Sequence, residues 1–139
     1  MDRYSDLGLL ILRIGIGLNM LVFHGWGKIT AGPERWQKVG GAMGNLGIHF
    51  LPVFWGFMAA LSESVAAALI ILGLFHRPAA LLAAFTMAVA AIVHLKMPPE
   101  APNAGWDGAS AALVYLTAFI ALAILGPGKY SLAPRWKRG

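Results

Sequence analysis

The fold is decided by the first apolar run, residues 7–28, LGLLILRIGIGLNMLVFHGWGK. From its start to Phe23, only Arg13 and Asn19 carry polar side chains. A helix that crosses a bilayer needs about 20 mostly apolar residues. The run therefore predicts a membrane-spanning helix. No small-residue cleavage site follows it, which predicts a retained span and not a removed signal peptide.

The composition extends this prediction to the whole chain. Of its 139 residues, 58% are hydrophobic and 12% charged, and the mean hydropathy is +0.68. A soluble domain carries about 25% charged residues, so this chain is expected to lie in the lipid bilayer. Cysteine is absent, which excludes disulfides and cysteine-ligated metals within the chain. The net charge of +5 is concentrated in the tail, so no nucleic-acid partner is predicted.

Four apolar segments predict an all-α membrane protein, a single domain over residues 1–139 built as a four-helix transmembrane bundle. The predicted spans are residues 7–27, 51–75, 78–95 and 108–125. The first loop is the longest, and its residues 33–39 are expected to form a short interfacial helix that helps to cover the bundle. A tight turn is predicted at His76-Arg77, and His49 and His76 are interpreted as interfacial loop residues.

An even number of spans places both termini on one side of the membrane. Six basic residues fall on that side and four on the other. The six are Arg3, Arg77, Lys129, Arg135, Lys137 and Arg138. Because basic residues are enriched in cytoplasmic segments, both termini are predicted to be cytoplasmic.

Ionisable residues inside or beside the spans are the candidate functional groups. Arg13, Gly17, Met20, His24 and Lys28 follow one another at helical spacing, which predicts one shared face. A charge at the depth of Arg13 is expected to meet a partner or a wet cavity, unless the side chain extends to the interface.

Glu63 is predicted to lie near the bilayer midplane, about 18 Å from either end of its span. A carboxylate there must be protonated, hydrogen-bonded or ion-paired. Arg13 and Asn19 are its candidate partners, and the three residues together form the predicted structural polar core. Two interpretations remain open, a clamp between the first two spans and a functional carboxylate.

His94 is expected at the level of His24, on a different helix. Such a pair suits haem or metal ligation, proton transfer, or hydrogen bonds to a quinone carbonyl. Alternatively, each imidazole satisfies a carbonyl at a helix end. No His-x-x-x-His spacing is present, so no metal site is predicted. The predicted ligand-binding set is His24, Lys28, Glu63 and His94, and no catalytic residue is assigned.

The sequence resembles the DoxX family of small four-span bacterial membrane proteins over nearly its whole length. The resemblance rests on LLILRIG (9–15), HGWGK (24–28), Glu63, LGLFHR (72–77), His94 and GPGKYSL (126–132). It departs from the family at Ala133, where an acidic residue is common. Some members also have a glutamate in the opening turn of span four, where this chain has Asp107 or Ser110.

The resemblance implies a protein of the inner membrane. The family takes its name from membrane subunits of thiosulfate:quinone oxidoreductase, and other members resemble membrane anchors of oxidative-stress complexes. Three hypotheses follow. The first is a quinone-binding subunit or accessory of a membrane oxidoreductase, with oxidoreductase partner proteins. The second is a non-catalytic scaffold that recruits or stabilises such partners, and the third is a small-molecule or proton conductor, which requires a homo-oligomer.

Overall fold

The computed structural model describes residues 2–133, and this part of the chain is helical without a strand. The helices are α1 (Arg3–Ala31), α2 (Pro33–Gly40), α3 (Pro52–Leu72), α4 (His76–Lys96) and α5 (Gly105–Leu125). All except α2 are long and apolar enough to cross a membrane. The predicted all-α architecture with four spans is thus confirmed. The tail residues Arg135, Lys137 and Arg138 lie outside the described residues.

Local sequence explains where the helices begin and end. Asp2 caps α1, its side chain accepting a 2.8 Å hydrogen bond from the backbone N–H of Ser5. Pro33 and Pro52 occupy the first turns of α2 and α3, where a missing N–H is tolerated. Gly73 ends α3 because it adopts a left-handed conformation, with φ at +73°.

The turn between α3 and α4 therefore lies at residues 73–75, and the prediction of a turn at His76-Arg77 is wrong. His76 is the first residue of α4 and is only 4% exposed. Its Nε2 lies 3.2 Å from the carbonyl oxygen of Leu122 on α5. His76 is thus a buried residue between two helices, whereas His49 is exposed in the first loop as expected.

The first half of the chain packs as an extended antiparallel pair. Along α1, Gly17 lies against Ala67 of α3, and Gly25 lies against the backbone of Glu63. Further along, α2 follows the first half of α3 in the same antiparallel sense. There, Gly56 of α3 contacts the backbone of Trp36. The predicted helix in the first loop is thus present, and it packs on the bundle as a fifth helix.

The second half is a hairpin of α4 and α5. Within it, α4 is the helix that packs against α3. The core among the helices consists largely of small side chains, with Met20, Ile70, Phe119 and Leu122 as its large fully buried apolar residues. Large apolar side chains elsewhere point outward, as expected for a surface in contact with lipid. Small residues bring the helices close, which is the usual means of helix association in a bilayer.

Both described ends of the chain lie at the same end of the bundle. The backbone N–H of Lys129 donates to Oδ1 of Asp6 at 2.9 Å, which joins the segment after α5 to the start of α1. The backbone N–H of Leu132 donates to the carbonyl of Leu72 at 3.0 Å. The assignment of this end to the cytoplasm stays a prediction.

Candidate functional site

The polar centre of the bundle is an ion pair between Lys28 of α1 and Glu63 of α3. The Lys28 ammonium donates to Oε2 of Glu63, and the Glu63 side chain is only 4% exposed. Glu63 lies about 15 Å from either end of α3 at 1.5 Å per residue. Within residues 2–133, this is the only side-chain ion pair. It satisfies the expectation that a carboxylate at this depth has a partner.

A glycine brings the two helices close enough for this pair to form. A Cβ on Gly25 would overlap the carbonyl oxygen of Glu63 and lie 2.7 Å from the backbone nitrogen of Ser64. The backbones of α1 and α3 thus approach each other closely at Gly25. No such approach occurs at Gly27, where a Cβ would meet open space.

Both helices contain a π-turn at this level, at Leu21–Gly25 in α1 and at Ser62–Ala66 in α3. A π-turn places one extra residue in the turn and so rotates the side chains that follow it. Arg13, Gly17 and Met20 are buried as one face, but beyond the π-turn that face continues through Gly25. The predicted common face of His24 and Lys28 is therefore wrong, because His24 is exposed on another side.

A cavity of about 480 Å³ lies beside the ion pair. Lys28 and Glu63 line it together with residues of α2, α3 and α4. The first loop supplies the wall at 38–40, 42 and 43. The remaining lining residues are Phe54, Trp55, Met58, Ala59, Leu82, Phe85, Thr86, Val89, Ala90, Val93 and His94. Most of this lining is apolar, and its polar groups are few.

The walls of the cavity on α3 and α4 include partly exposed aromatic side chains. Phe54 on α3 and Phe85 on α4 both line it, and they are 47% and 50% exposed. Phe85 lies near the middle of α4, so its exposed surface faces the hydrocarbon region.

The polar groups of this cavity are mainly hydrogen-bond donors. Lys28 and Lys38 supply ammonium groups, and Trp55 has a buried indole N–H with no acceptor among residues 2–133. The Ser62 hydroxyl donates to the Thr86 hydroxyl oxygen at 2.9 Å, which ties α4 to α3 at the same level. The two ammonium groups suit a ligand that carries acceptor atoms.

Three of the four predicted ligand-binding residues line this cavity: Lys28, Glu63 and His94. Nδ1 of His94 lies 2.8 Å from the carbonyl oxygen of Asn103. This imidazole therefore makes the alternative predicted contact, with a carbonyl at a helix end. His24 does not line the cavity. Its ring contacts that of Tyr115 edge-on, with centroids 5.6 Å apart, so the two histidines do not form one site.

The predicted polar core divides into three separate groups. Arg13 is 1% exposed and donates to the carbonyls of Ile71 (3.1 Å), Tyr130 (2.8 Å) and Pro127. The suggested Arg13–Glu63 clamp is thus wrong, because Arg13 binds backbone at one end of the bundle. Asn19 is exposed and accepts a hydrogen bond from the Tyr115 hydroxyl, so its assignment to a buried core is also wrong.

Two polar residues that the structure brings into prominence were not among the candidates. Tyr115 could have been identified from the sequence, because it is a polar residue inside an apolar span. Thr86 offered a weaker signal, since a hydroxyl in a helix commonly bonds its own backbone. It does so here, donating to the Leu82 carbonyl at 3.1 Å.

Comparison with known proteins agrees with this architecture. The DoxX family model matches residues 8–95. The Escherichia coli (strain K12) protein named inner membrane protein YphA is 35% identical over 146 residues, covering 96% of this chain and 97% of its own length. No solved structure matches.

Proposed function

This chain belongs to the DoxX family and is a multi-pass protein of the inner membrane, and from that premise we propose that the cavity beside Lys28 and Glu63 binds a lipid-soluble quinone. Bound there, the quinone would serve a membrane oxidoreductase of which this protein is a subunit or accessory. The observation that carries the proposal is a mostly apolar cavity among the membrane-spanning helices, with the ion-paired Lys28 ammonium in its lining.

The size and lining of the cavity favour a ring-bearing lipid. Its volume of about 480 Å³ falls within the range of about 300–1,000 Å³ found for small-molecule sites. An isoprenoid tail could leave between Phe54 and Phe85 into the hydrocarbon region. The head group would then lie against the polar residues farther inside.

The donors match the chemistry of a quinone head group, whose two carbonyl oxygens accept hydrogen bonds. The Lys28 ammonium has three N–H donors, so its bond to Glu63 leaves two for a ligand. A hydrogen bond from an ammonium group is stronger than one from a neutral donor.

The electrons must come from outside this chain. Reduction of a quinone to a quinol takes up two electrons and two protons, and the chain has no cysteine to act as a redox side chain. We therefore assign this protein the binding and orientation of the quinone. A partner oxidoreductase with its own redox cofactor would exchange the electrons.

Quinone binding can be measured on the purified protein in mild detergent. Lipid extraction and chromatography report a co-purifying quinone, and quenching of tryptophan fluorescence follows titration with a short-chain ubiquinone. We expect saturable binding, weakened about ten-fold or more by Lys28→Gln, which removes a charged donor. His24→Ala is expected to bind like wild type, because His24 lies outside the cavity.

A steric variant tests the location independently of charge. Ala59→Phe adds a ring to the cavity wall and should abolish saturable quenching. Ala111→Phe makes the same change on the exposed surface of α5, and it should leave binding unchanged. Equal binding by both variants, or no quinone in the extract and no saturable titration, would overturn the proposal. The absence of quinone would favour a non-catalytic scaffold.

A further inference from the structure

A second cavity lies at the end of the bundle where both described chain ends meet. Its volume is about 280 Å³, and its lining is largely polar. Asp6 of α1, Arg77 of α4 and Lys129 surround it, together with the turn that follows α5 at residues 125–128. None of these residues lines the cavity beside Lys28 and Glu63.

The turn after α5, which forms one wall of this cavity, is held in place by hydrogen bonds from Arg13 and to Asp6. Gly126 and Gly128 adopt positive φ angles of +81° and +74°, which glycine accepts without a steric penalty. The buried Arg13 guanidinium donates to the carbonyl of Pro127 between them. On the other side, Oδ1 of Asp6 accepts the backbone N–H of Lys129. The cavity is thus shaped by fixed backbone.

The cations of this cavity are not neutralised by its one carboxylate. Neither the Arg77 guanidinium nor the Lys129 ammonium lies within 4 Å of a carboxylate among residues 2–133, where the sole ion pair is Lys28–Glu63. Two cations and Asp6 leave a net charge of +1 around the cavity, and Arg13 adds a further positive charge beneath the turn. The cavity therefore favours an anion.

Apolar side chains surround this polar cavity at the level where the helices end. Phe75 in the turn before α4 is 77% exposed, and Leu132 after α5 is 68% exposed. Leu125, which lines the cavity itself, is 50% exposed. A free inorganic anion would make no use of these apolar surfaces, whereas a lipid would cover them with its acyl chains.

We propose that this cavity is a binding site for an anionic phospholipid. The phosphate of the head group lies between Arg77 and Lys129, and the acyl chains run along the apolar surface beside Phe75 and Leu132. Basic pockets between membrane helices recognise anionic head groups in this way. The site is independent of quinone binding, because it lies at a different place in the bundle and uses different residues.

The test measures retained lipid on the full-length protein. The protein is reconstituted in nanodiscs of phosphatidylcholine with a minor fraction of phosphatidylglycerol, then extracted into mild detergent. Native mass spectrometry then counts bound phosphatidylglycerol. Wild type should retain it, and Arg77→Gln and Lys129→Gln should each lower retention about five-fold. Lys38→Gln, a cation outside this cavity, is the matched control and should leave retention unchanged.

Further arms separate this proposal from its alternatives. Asp6→Asn keeps an acceptor for the Lys129 backbone but removes the negative charge, so it should increase retention. Inorganic phosphate at millimolar concentration should not displace the lipid. Unchanged retention in the Arg77→Gln/Lys129→Gln double variant, lower retention in Asp6→Asn, or displacement by phosphate would each overturn the proposal.

Discussion

The ion pair between Lys28 and Glu63 gives the sharpest test of the bundle's energetics. Glu63→Leu leaves a lysine inside the bundle without its counter-ion, and breaking a buried pair costs about 3–5 kcal/mol. Because the Lys28 side chain is 22% exposed and flexible, we expect the lower end, about 3 kcal/mol. Lys28→Met leaves the buried Glu63 without its counter-ion and should cost about as much.

The double variant Lys28→Met/Glu63→Leu distinguishes a pair from two independent contributions. Replacing both charges by apolar groups of similar volume is often nearly neutral, so the two single effects should not add. We expect a coupling free energy of about 3 kcal/mol or more, well above the range for non-interacting sites. Reversible unfolding in mixed detergent micelles, followed by circular dichroism, measures each free energy of unfolding.

The matched control for this cycle is Lys38→Met, a lysine of α2 that lines the same cavity but is exposed. It should change the free energy of unfolding by no more than about 0.5 kcal/mol. The reasoning is refuted if both single variants at the ion pair also fall within that range. It is refuted equally if their costs are large but sum to the cost of the double variant.

Three further predictions follow from single contacts. Gly25→Ala should destabilise the bundle by about 2 kcal/mol or more in the same assay, because its Cβ would overlap α3, whereas Gly27→Ala should be neutral or slightly stabilising; equal effects would contradict the packing. Arg13→Lys should lower the yield of folded protein on size-exclusion chromatography nearly as much as Arg13→Gln, because an ammonium cannot reproduce the guanidinium's bonds to three carbonyls; full rescue by lysine would count against this. Tyr115→Phe removes the hydrogen bond to Asn19 and should cost only about 0.6 kcal/mol of unfolding free energy, the average for bonds between membrane helices; a cost above about 2 kcal/mol would assign Tyr115 a larger role.

The four spans could be predicted from sequence because the hydropathy and the length of a segment depend only on its own residues. The partner of Glu63 could not. The sequence predicts a first span that ends at residue 27, which leaves Lys28 outside it and makes Arg13 and Asn19 the candidate partners of Glu63. The structure continues α1 to Ala31, which brings Lys28 to the depth of Glu63. A lysine can lie inside a membrane bundle when it is paired with a carboxylate. Hydropathy alone does not reveal such a lysine.

The position of His24 was mispredicted for a geometric reason. Helical spacing assumes 3.6 residues per turn, and the π-turn at Leu21–Gly25 interrupts that period without a sequence signal such as proline. Gly25 permits the close approach of α1 to α3. A glycine does not, however, reveal the rotation of the following side chains that the π-turn produces. The cavity itself depends on how α2 packs on α3, which no local pattern specifies.

The spacing of the ion pair along the chain has a consequence for biogenesis. Lys28 is synthesised 35 residues before Glu63, so the first span meets the membrane while its lysine has no counter-ion. A lysine within a membrane helix disfavours insertion, by about 2.5–3.5 kcal/mol at the helix centre and by less toward the end, where Lys28 lies. We therefore expect nascent chains that end before Glu63 to hold Lys28 at the interface, and longer chains to draw it inward, a shift that cross-linking to lipid at position 28 would detect. The second span thus completes the insertion of the first.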